Sequence, residues 1–184
     1  MTTSDEQLRP RTILANAAAT ISLLAPVARL SLRARGPAAV ALSRALGVEL
    51  PAGIGRRAGH AGIEALHLGP DEWLLLAPEQ EAPRLIAACD RIGPDTPHSV
   101  TDISDREVSI RVEGPMAPEL LALGCPRDLD RIDPGQGRRT VFDGLAVVLW
   151  RDTPESFRLD VWRSFAPHLL GLLETGCAEL ACSS

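Results

Sequence analysis

Residues 31–47 read SLRARGPAAVALSRALG and residues 109–124 read SIRVEGPMAPELLALG. Leu30, Leu32 and Ala34 alternate with Ser31, Arg33 and Arg35, and Val108, Ile110 and Val112 alternate with Glu107, Ser109, Arg111 and Glu113. A period of two marks a strand buried on one face. Each run then meets Gly-Pro, a reversal followed by a residue whose fixed φ and missing N–H suit the first position of a helix. Apolar residues follow at helical spacing, Val40, Leu42 and Leu46 in one copy and Leu120, Leu121 and Leu123 in the other. Gly47 and Gly124 stand where helix-ending glycines belong.

The echo extends further. Residues 73–86 (WLLLAPEQEAPRLI) align with residues 157–170 (FRLDVWRSFAPHLL), both ending in Ala-Pro-x-Leu and an apolar residue. The copies are offset by 78 residues at Gly-Pro and by 84 at Ala-Pro, so the second holds a six-residue insertion, placed in the loop-like DPGQGRRT of residues 133–140. Each half reads strand, helix, strand, strand, helix. That order predicts an α+β fold of two ferredoxin-like units sharing a core. The expected organisation is an N-terminal arm over 1–28, a single duplicated domain over 29–176 with halves at about 29–93 and 100–176, and a C-terminal tail over 177–184.

Composition limits the chemistry. The chain has 184 residues, 45% of them hydrophobic and 23% charged, with a net charge of −5. Such an acidic chain lacks the basic face that nucleic-acid binding uses, so no nucleic-acid partner is expected. All 19 basic residues are arginine. Without lysine there is no phosphate-loop lysine, Schiff base or lysine general base. Residues 13–30 carry no charge before Arg29, but Asn16, Thr20, Ser22 and Pro26 interrupt the run and Asp5 and Glu6 precede it. It reads as an arm on this domain or on a neighbour, with an exported leader as the rival, and no membrane association is expected.

Candidate reactive groups are sparse. Cys89, Cys125, Cys177 and Cys182 lack metal-ligand spacing and read as reduced thiols. His60, His67, His98 and His168 are scattered, with no HxH or HExxH pattern. Asp102 and Asp105 in TDISDRE read as turn formers, the rival being paired acids for proton transfer. Arg138 and Arg139 read as a solvated loop tip, the rival being a phosphate or carboxylate clamp in an anion-binding regulatory module. The Gly-Pro turns read as architecture, the rival being an anion site at a helix start. Trp73, Trp162, Arg163 and Phe165 are the candidate partner interface, because tryptophan and arginine are enriched at binding hot spots. No catalytic, cofactor-binding or metal-binding residue is assigned.

Taken in order, LGPDEWLLLAPE at 68–79, VTDISDREVSIRVEGP at 100–115, LLALGCPRDL at 120–129 and FRLDVWRSFAPHLLGLLE at 157–174 resemble the gamma subunits of heterotetrameric sarcosine oxidases. The likeness runs from about residue 29 to residue 176. It implies a fold similar to the folate-binding domain of aminomethyltransferases. It also implies a non-catalytic subunit in a bacterial cytoplasmic complex that oxidatively demethylates sarcosine to glycine in one-carbon metabolism, with alpha, beta and delta subunits as partners. The cofactors FAD, FMN, NAD, tetrahydrofolate and zinc would sit on those other subunits, none on this chain. Dimerisation of the isolated chain through its orphaned interface is left open. The alternative is a free-standing folate-binding, aminomethyltransferase-like protein in which Asp102 helps position a one-carbon transfer.

Overall fold

A computed structural model describes residues 8–93 and 96–182. The chain divides into two compact units, one formed by Val27–Ser104 and the other by residues up to Pro26 together with those from Asp105 onward.

In the Val27–Ser104 unit the elements are β3 (Ala28–Ala34), α1 (Pro37–Leu46), β4 (Arg57–His60), β5 (Ile63–Gly69), β6 (Glu72–Ala77), α2 (Ala82–Asp90) and β7 (His98–Asp102). They make an antiparallel sheet ordered β4-β5-β6-β3-β7. β5, β6, β3 and β7 form the split βαβ arrangement of a ferredoxin-like unit. β4 is an added edge strand.

The other unit contains β1 (Arg11–Ala15), β2 (Thr20–Leu23), β8 (Glu107–Glu113), α3 (Ala117–Ala122), β9 (Gln136–Phe142), β10 (Leu145–Thr153), β11 (Ser156–Trp162) and α4 (Ala166–Cys182). Its sheet runs β1-β2-β8-β11-β10-β9. Each strand from β2 to β9 here has a counterpart in the same position of the other sheet. The fold is therefore α+β and internally duplicated, as the two Gly-Pro stretches predict.

Alternation explains the layers. On β3, Ala28, Leu30, Leu32 and Ala34 turn toward a core completed by Leu42 and Leu46 of α1, Leu75 of β6 and Leu85 of α2. On β8, Val108, Ile110 and Val112 turn toward a core with Leu120 and Leu121 of α3, Leu149 of β10, Leu159 of β11 and Leu169 and Leu173 of α4. These are two distinct clusters, where the sequence suggested one shared core.

The observed boundaries also differ from the expected ones. The expected arm over 1–28 contains β1 and β2, and β2 pairs with β8 in the register Ile21↔Val112. Leu8, Ala18, Ala19, Ile21 and Leu23 are buried in that unit's core. The polar residues that break up residues 13–30 lie in and around this hairpin: Asn16 Oδ1 accepts the Ala18 and Ala19 N–H groups at 2.9 and 3.2 Å. Its Nδ2 donates to the Cys177 carbonyl at 3.2 Å. The expected tail from 177 continues α4 to Cys182, with Cys177 fully buried. Residues 1–7 of the arm and 183–184 of the tail lie outside the described residues.

β4 and β9 were not foreseen as strands. Edge strands are held mainly by backbone pairing, so their side chains need no apolar alternation, and RAGH and QGRRTVF have none. The DPGQGRRT stretch is therefore mostly strand rather than loop. Gly47 ends α1 in the left-handed region, φ 70, with its N–H bonded to the Ser43 carbonyl at 3.1 Å. Gly124 has no such φ. It is needed because a Cβ there would lie 2.6 Å from the Phe142 ring.

Candidate interaction site

β11 ends at Trp162 and α4 begins at Ala166, and the short turn between them carries an aromatic pair. Phe165 N–H donates to the Trp162 carbonyl at 2.9 Å, closing the turn, while Arg163 N–H bonds the Arg106 carbonyl at 3.0 Å. The Trp162 and Phe165 rings stack with centroids 6.2 Å apart and planes 19° from parallel. Both remain exposed, at 48% and 44%. The Arg106 guanidinium lies 5.9 Å from the centre of the Trp162 ring. Glu107 pairs with Arg106 at 2.7 Å from a buried position, which offsets the guanidinium's charge and holds it beside the ring.

Trp73, the other tryptophan read as an interface residue, is 5% exposed. Its Nε1 donates to the Pro51 carbonyl at 3.0 Å and its ring stacks on His67 at 4.7 Å. Trp73 is a core residue and leaves the candidate interface. It occupies the repeat position of Phe157, also fully buried.

The remaining candidates do not converge. Asp102 Oδ1 accepts from the Ser104 backbone N–H at 2.9 Å and from its hydroxyl at 2.5 Å. The Ser104 hydroxyl oxygen in turn accepts the Arg29 N–H at 3.0 Å. Asp102 thus shapes an exposed turn rather than standing at the base of a cavity. Arg138 and Arg139 are consecutive residues of β9, so they point to opposite faces and cannot form one clamp. Arg138 instead bonds the Gly137 carbonyl at 2.8 Å and Gln136 Oε1 at 3.0 Å.

At the second Gly-Pro turn, Gly114 N–H donates to Glu155 O and Met116 N–H to Ala18 O, which takes up donors an anion would need. His60 and His168 are exposed and His67 is buried. Among the described residues no three His, Cys, Asp or Glu side chains gather as a metal site. A groove of about 480 Å³ beside β4, lined by residues including Arg44, Glu49 and His60, is open and shallow.

Two buried groups escaped the sequence reading. Asp160 accepts Trp150 Nε1–H at 2.6 Å on one oxygen and the Ser109 hydroxyl on the other. Arg151 Nη1 donates to the Leu129 and Ile132 carbonyls at 2.8 and 2.9 Å, tying residues 129–132 to β10. The signal was available: a charged residue among Leu, Val and Trp in a strand breaks the pattern and needs a buried partner.

The duplicated ferredoxin-like architecture defines the class. The fold is shared with glycine cleavage system aminomethyltransferase T from Bartonella henselae, at a TM-score of 0.65 and 19% identity over 86% of this chain and 46% of that one. Within that class the relationship is narrower. The sarcosine oxidase gamma subunit family model matches residues 33–179, and the chain belongs to that family.

It is 35% identical to the sarcosine oxidase subunit gamma of Corynebacterium sp. strain U-96 over 146 residues, 78% of this chain and 70% of that one. A similar relative from Arthrobacter sp. is 36% identical over 77% of this chain and 70% of that one. A chain of the heterotetrameric sarcosine oxidase from Corynebacterium sp. U-96, solved with pyrrole 2-carboxylate, superposes at a TM-score of 0.83. It is 32% identical, covering 92% of this chain and 89% of that one.

Proposed function

We propose that this chain is the gamma-type, non-catalytic subunit of a heterotetrameric sarcosine oxidase that converts sarcosine to glycine in the bacterial cytoplasm. The carrying observation is the near full-length structural likeness to a chain of such an oxidase. The exposed Trp162–Phe165 pair supports it, because a monomer gains nothing by leaving two stacked rings in water. In this reading alpha, beta and delta chains are the partners. They hold FAD, FMN, NAD, tetrahydrofolate and zinc, and this chain supplies shape and contact surface. No helix among the described residues is long and apolar enough to cross a membrane.

Co-expression with the neighbouring oxidase chains, followed by size-exclusion chromatography and a sarcosine-dependent peroxide assay, tests the proposal. This chain is expected in the peak that carries the activity. An active oxidase that assembles without it would overturn the reading. Saturable tetrahydrofolate binding by the chain alone, lost in Asp102→Ala, would favour a folate-binding protein instead.

A further inference from the structure

His67 is 7% exposed, on β5, with its ring stacked on Trp73. The Gly53 backbone N–H donates to its Nδ1 at 2.8 Å. An amide N–H can only donate, so Nδ1 holds a lone pair and the ring proton sits on Nε2. Nε2 is itself buried and has no partner among the described residues. The imidazole that this geometry accepts is therefore the neutral one, in a single tautomer.

That ring pins a loop. Residues 51–56 (PAGIGR) lie between α1 and β4, and three hydrogen bonds fasten them to His67. They are the Gly53 N–H to Nδ1, the Gly55 N–H to the His67 carbonyl at 2.7 Å, and the His67 N–H to the Arg56 carbonyl at 3.1 Å. Only the first depends on the protonation of the ring. Gly53 and Gly55 both have positive φ, +133 and +86, so a released segment gains much conformational freedom and the pin matters. Between them Ile54 points outward, 53% exposed.

We infer that the 51–56 loop is an acid-released latch, closed by neutral His67 and opened when the ring takes a second proton. A protonated Nδ1 would set N–H against N–H and leave a buried cation with two donors and no acceptor. Opening lets water solvate both ring nitrogens. The proton therefore binds the open form better, and acid shifts the population toward it.

The charged groups on the neighbouring elements do not cancel this effect. Arg44 of α1, Glu49 and Arg56 are exposed, Arg57 of β4 pairs with Glu64 at 2.7 Å, and Glu72 of β6 pairs with Arg33 at 3.2 Å. No carboxylate among the described residues is bonded to the His67 ring. The other histidines are placed differently. His98 lies between the Thr96 and Cys89 carbonyls at 2.7 and 3.1 Å, two acceptors that a protonated ring serves. His60 and His168 are exposed. Acid thus releases the 51–56 loop and leaves the contact between α2 and β7 closed.

Amide hydrogen exchange of the full chain, read as protection relative to the unstructured rate at each pH, tests the latch. The Gly53 amide is expected to lose protection at least about ten-fold between about pH 8 and about pH 5.5, with the buried Leu149 of β10 unchanged. His67→Gln can accept the same N–H through its side-chain oxygen without titrating, so its Gly53 protection is expected to stay constant over that range. His67→Phe keeps a ring against Trp73 and offers no acceptor. Its Gly53 amide is expected to exchange quickly at every pH while Leu149 stays protected. Nitrogen NMR of the wild-type ring needs no variant and is expected to show Nδ1 unprotonated at about pH 8. A proton on Nδ1 under those conditions, wild-type Gly53 protection that ignores pH, or the same pH response in His67→Gln would each overturn the latch. So would a parallel loss at Leu149, which would mean that acid unfolds the whole molecule rather than the loop.

Discussion

Trp150 Nε1 lies 2.6 Å from Asp160 Oδ2, so a fully buried indole donates to a carboxylate that is only 2% exposed. The neighbouring strand sends the Ser109 hydroxyl to the other oxygen. On the ring face, the Arg158 guanidinium sits 4.9 Å from the Trp150 centroid and pairs with Asp152 at 2.8 Å. Three strands, β8, β11 and β10, are thereby tied through one side chain. Asp160→Ala leaves the indole N–H and the hydroxyl buried without this acceptor, and is expected to cost about 2–4 kcal/mol in urea unfolding. Asp160→Asn keeps an acceptor for the indole, and its amide can donate to Ser109, so about half that loss is expected. Equal stability of Asp160→Ala and wild type would show that the network contributes nothing.

The two Gly-Pro turns look alike in sequence and differ in space. A Cβ on Gly114 would stand 2.9 Å from Ala19 Cα and 3.0 Å from Ala18 O, and the residue's φ is +139. Both obstacles are backbone, held by the Asn16 bonds, so neither yields cheaply. Gly36 has φ +51 and open space around it. Gly36→Ala is expected to cost about 1 kcal/mol, the conformational penalty alone. Gly114→Ala is expected to cost about 3 kcal/mol or more, since strain and displacement of the β1–β2 hairpin add. Thermal melting of the two variants side by side decides it, and matching shifts would refute the hairpin's close packing.

That contrast shows what the sequence could and could not reveal. Period-two runs bounded by Gly-Pro located β3, α1, β8 and α3, because strand and helix periodicities are local properties. The Ala-Pro echo located α2 and α4 in the same way. What stayed hidden was non-local. β2 takes in its sheet the position that β7 takes in the other, although β2 precedes the first copy and β7 follows α2, so the hairpin looked like an arm. β4 and β9 earn their places through backbone pairing, which leaves little imprint on side-chain pattern. Trp73 and Trp162 are both tryptophans near a strand end, and only packing separates the buried one from the exposed one. At the candidate site, Trp162, Arg163 and Phe165 were legible as surplus apolar and arginine content. Arg106 was not, because it reaches them from residues far away in sequence.

Thiol accessibility should follow burial. Cys89, Cys125 and Cys177 are buried and Cys182 is exposed. Burial, with a lesser push from the Asp90 charge, raises the Cys89 thiol to about 11, so it stays protonated and unreactive near neutrality. The native protein is expected to react quickly with a thiol reagent at one site, Cys182, and at all four cysteines once unfolded. Mass spectrometry of briefly labelled protein identifies the site. Rapid native labelling of Cys89 would contradict the packing of α2 onto its sheet.

The last expectation concerns acid. Asp71 sits in the β5–β6 turn and joins it to β3: its Oδ2 accepts from Arg35 Nε at 3.0 Å and Nη2 at 2.8 Å, and its Oδ1 from Arg33 Nη1 at 3.0 Å. The Arg35 hydrogen bonds, reinforced by Arg33 and by both positive charges, hold the carboxyl below its ordinary value of 3.8, and partial desolvation opposes them only in part. A carboxylate whose folded value is depressed adds stability above its unfolded value and loses it as pH falls through the folded one. Wild type and Asp71→Asn are therefore expected to differ by a constant, small amount from about pH 5 to 8, because the pair is solvent-screened. Below about pH 4 their stabilities should converge as wild type takes up the proton. Urea midpoints measured from pH 2 to 8 check this. A gap that stays constant down to pH 2 would mean that Asp71 titrates normally and that the Arg33–Asp71–Arg35 clasp does not hold in solution.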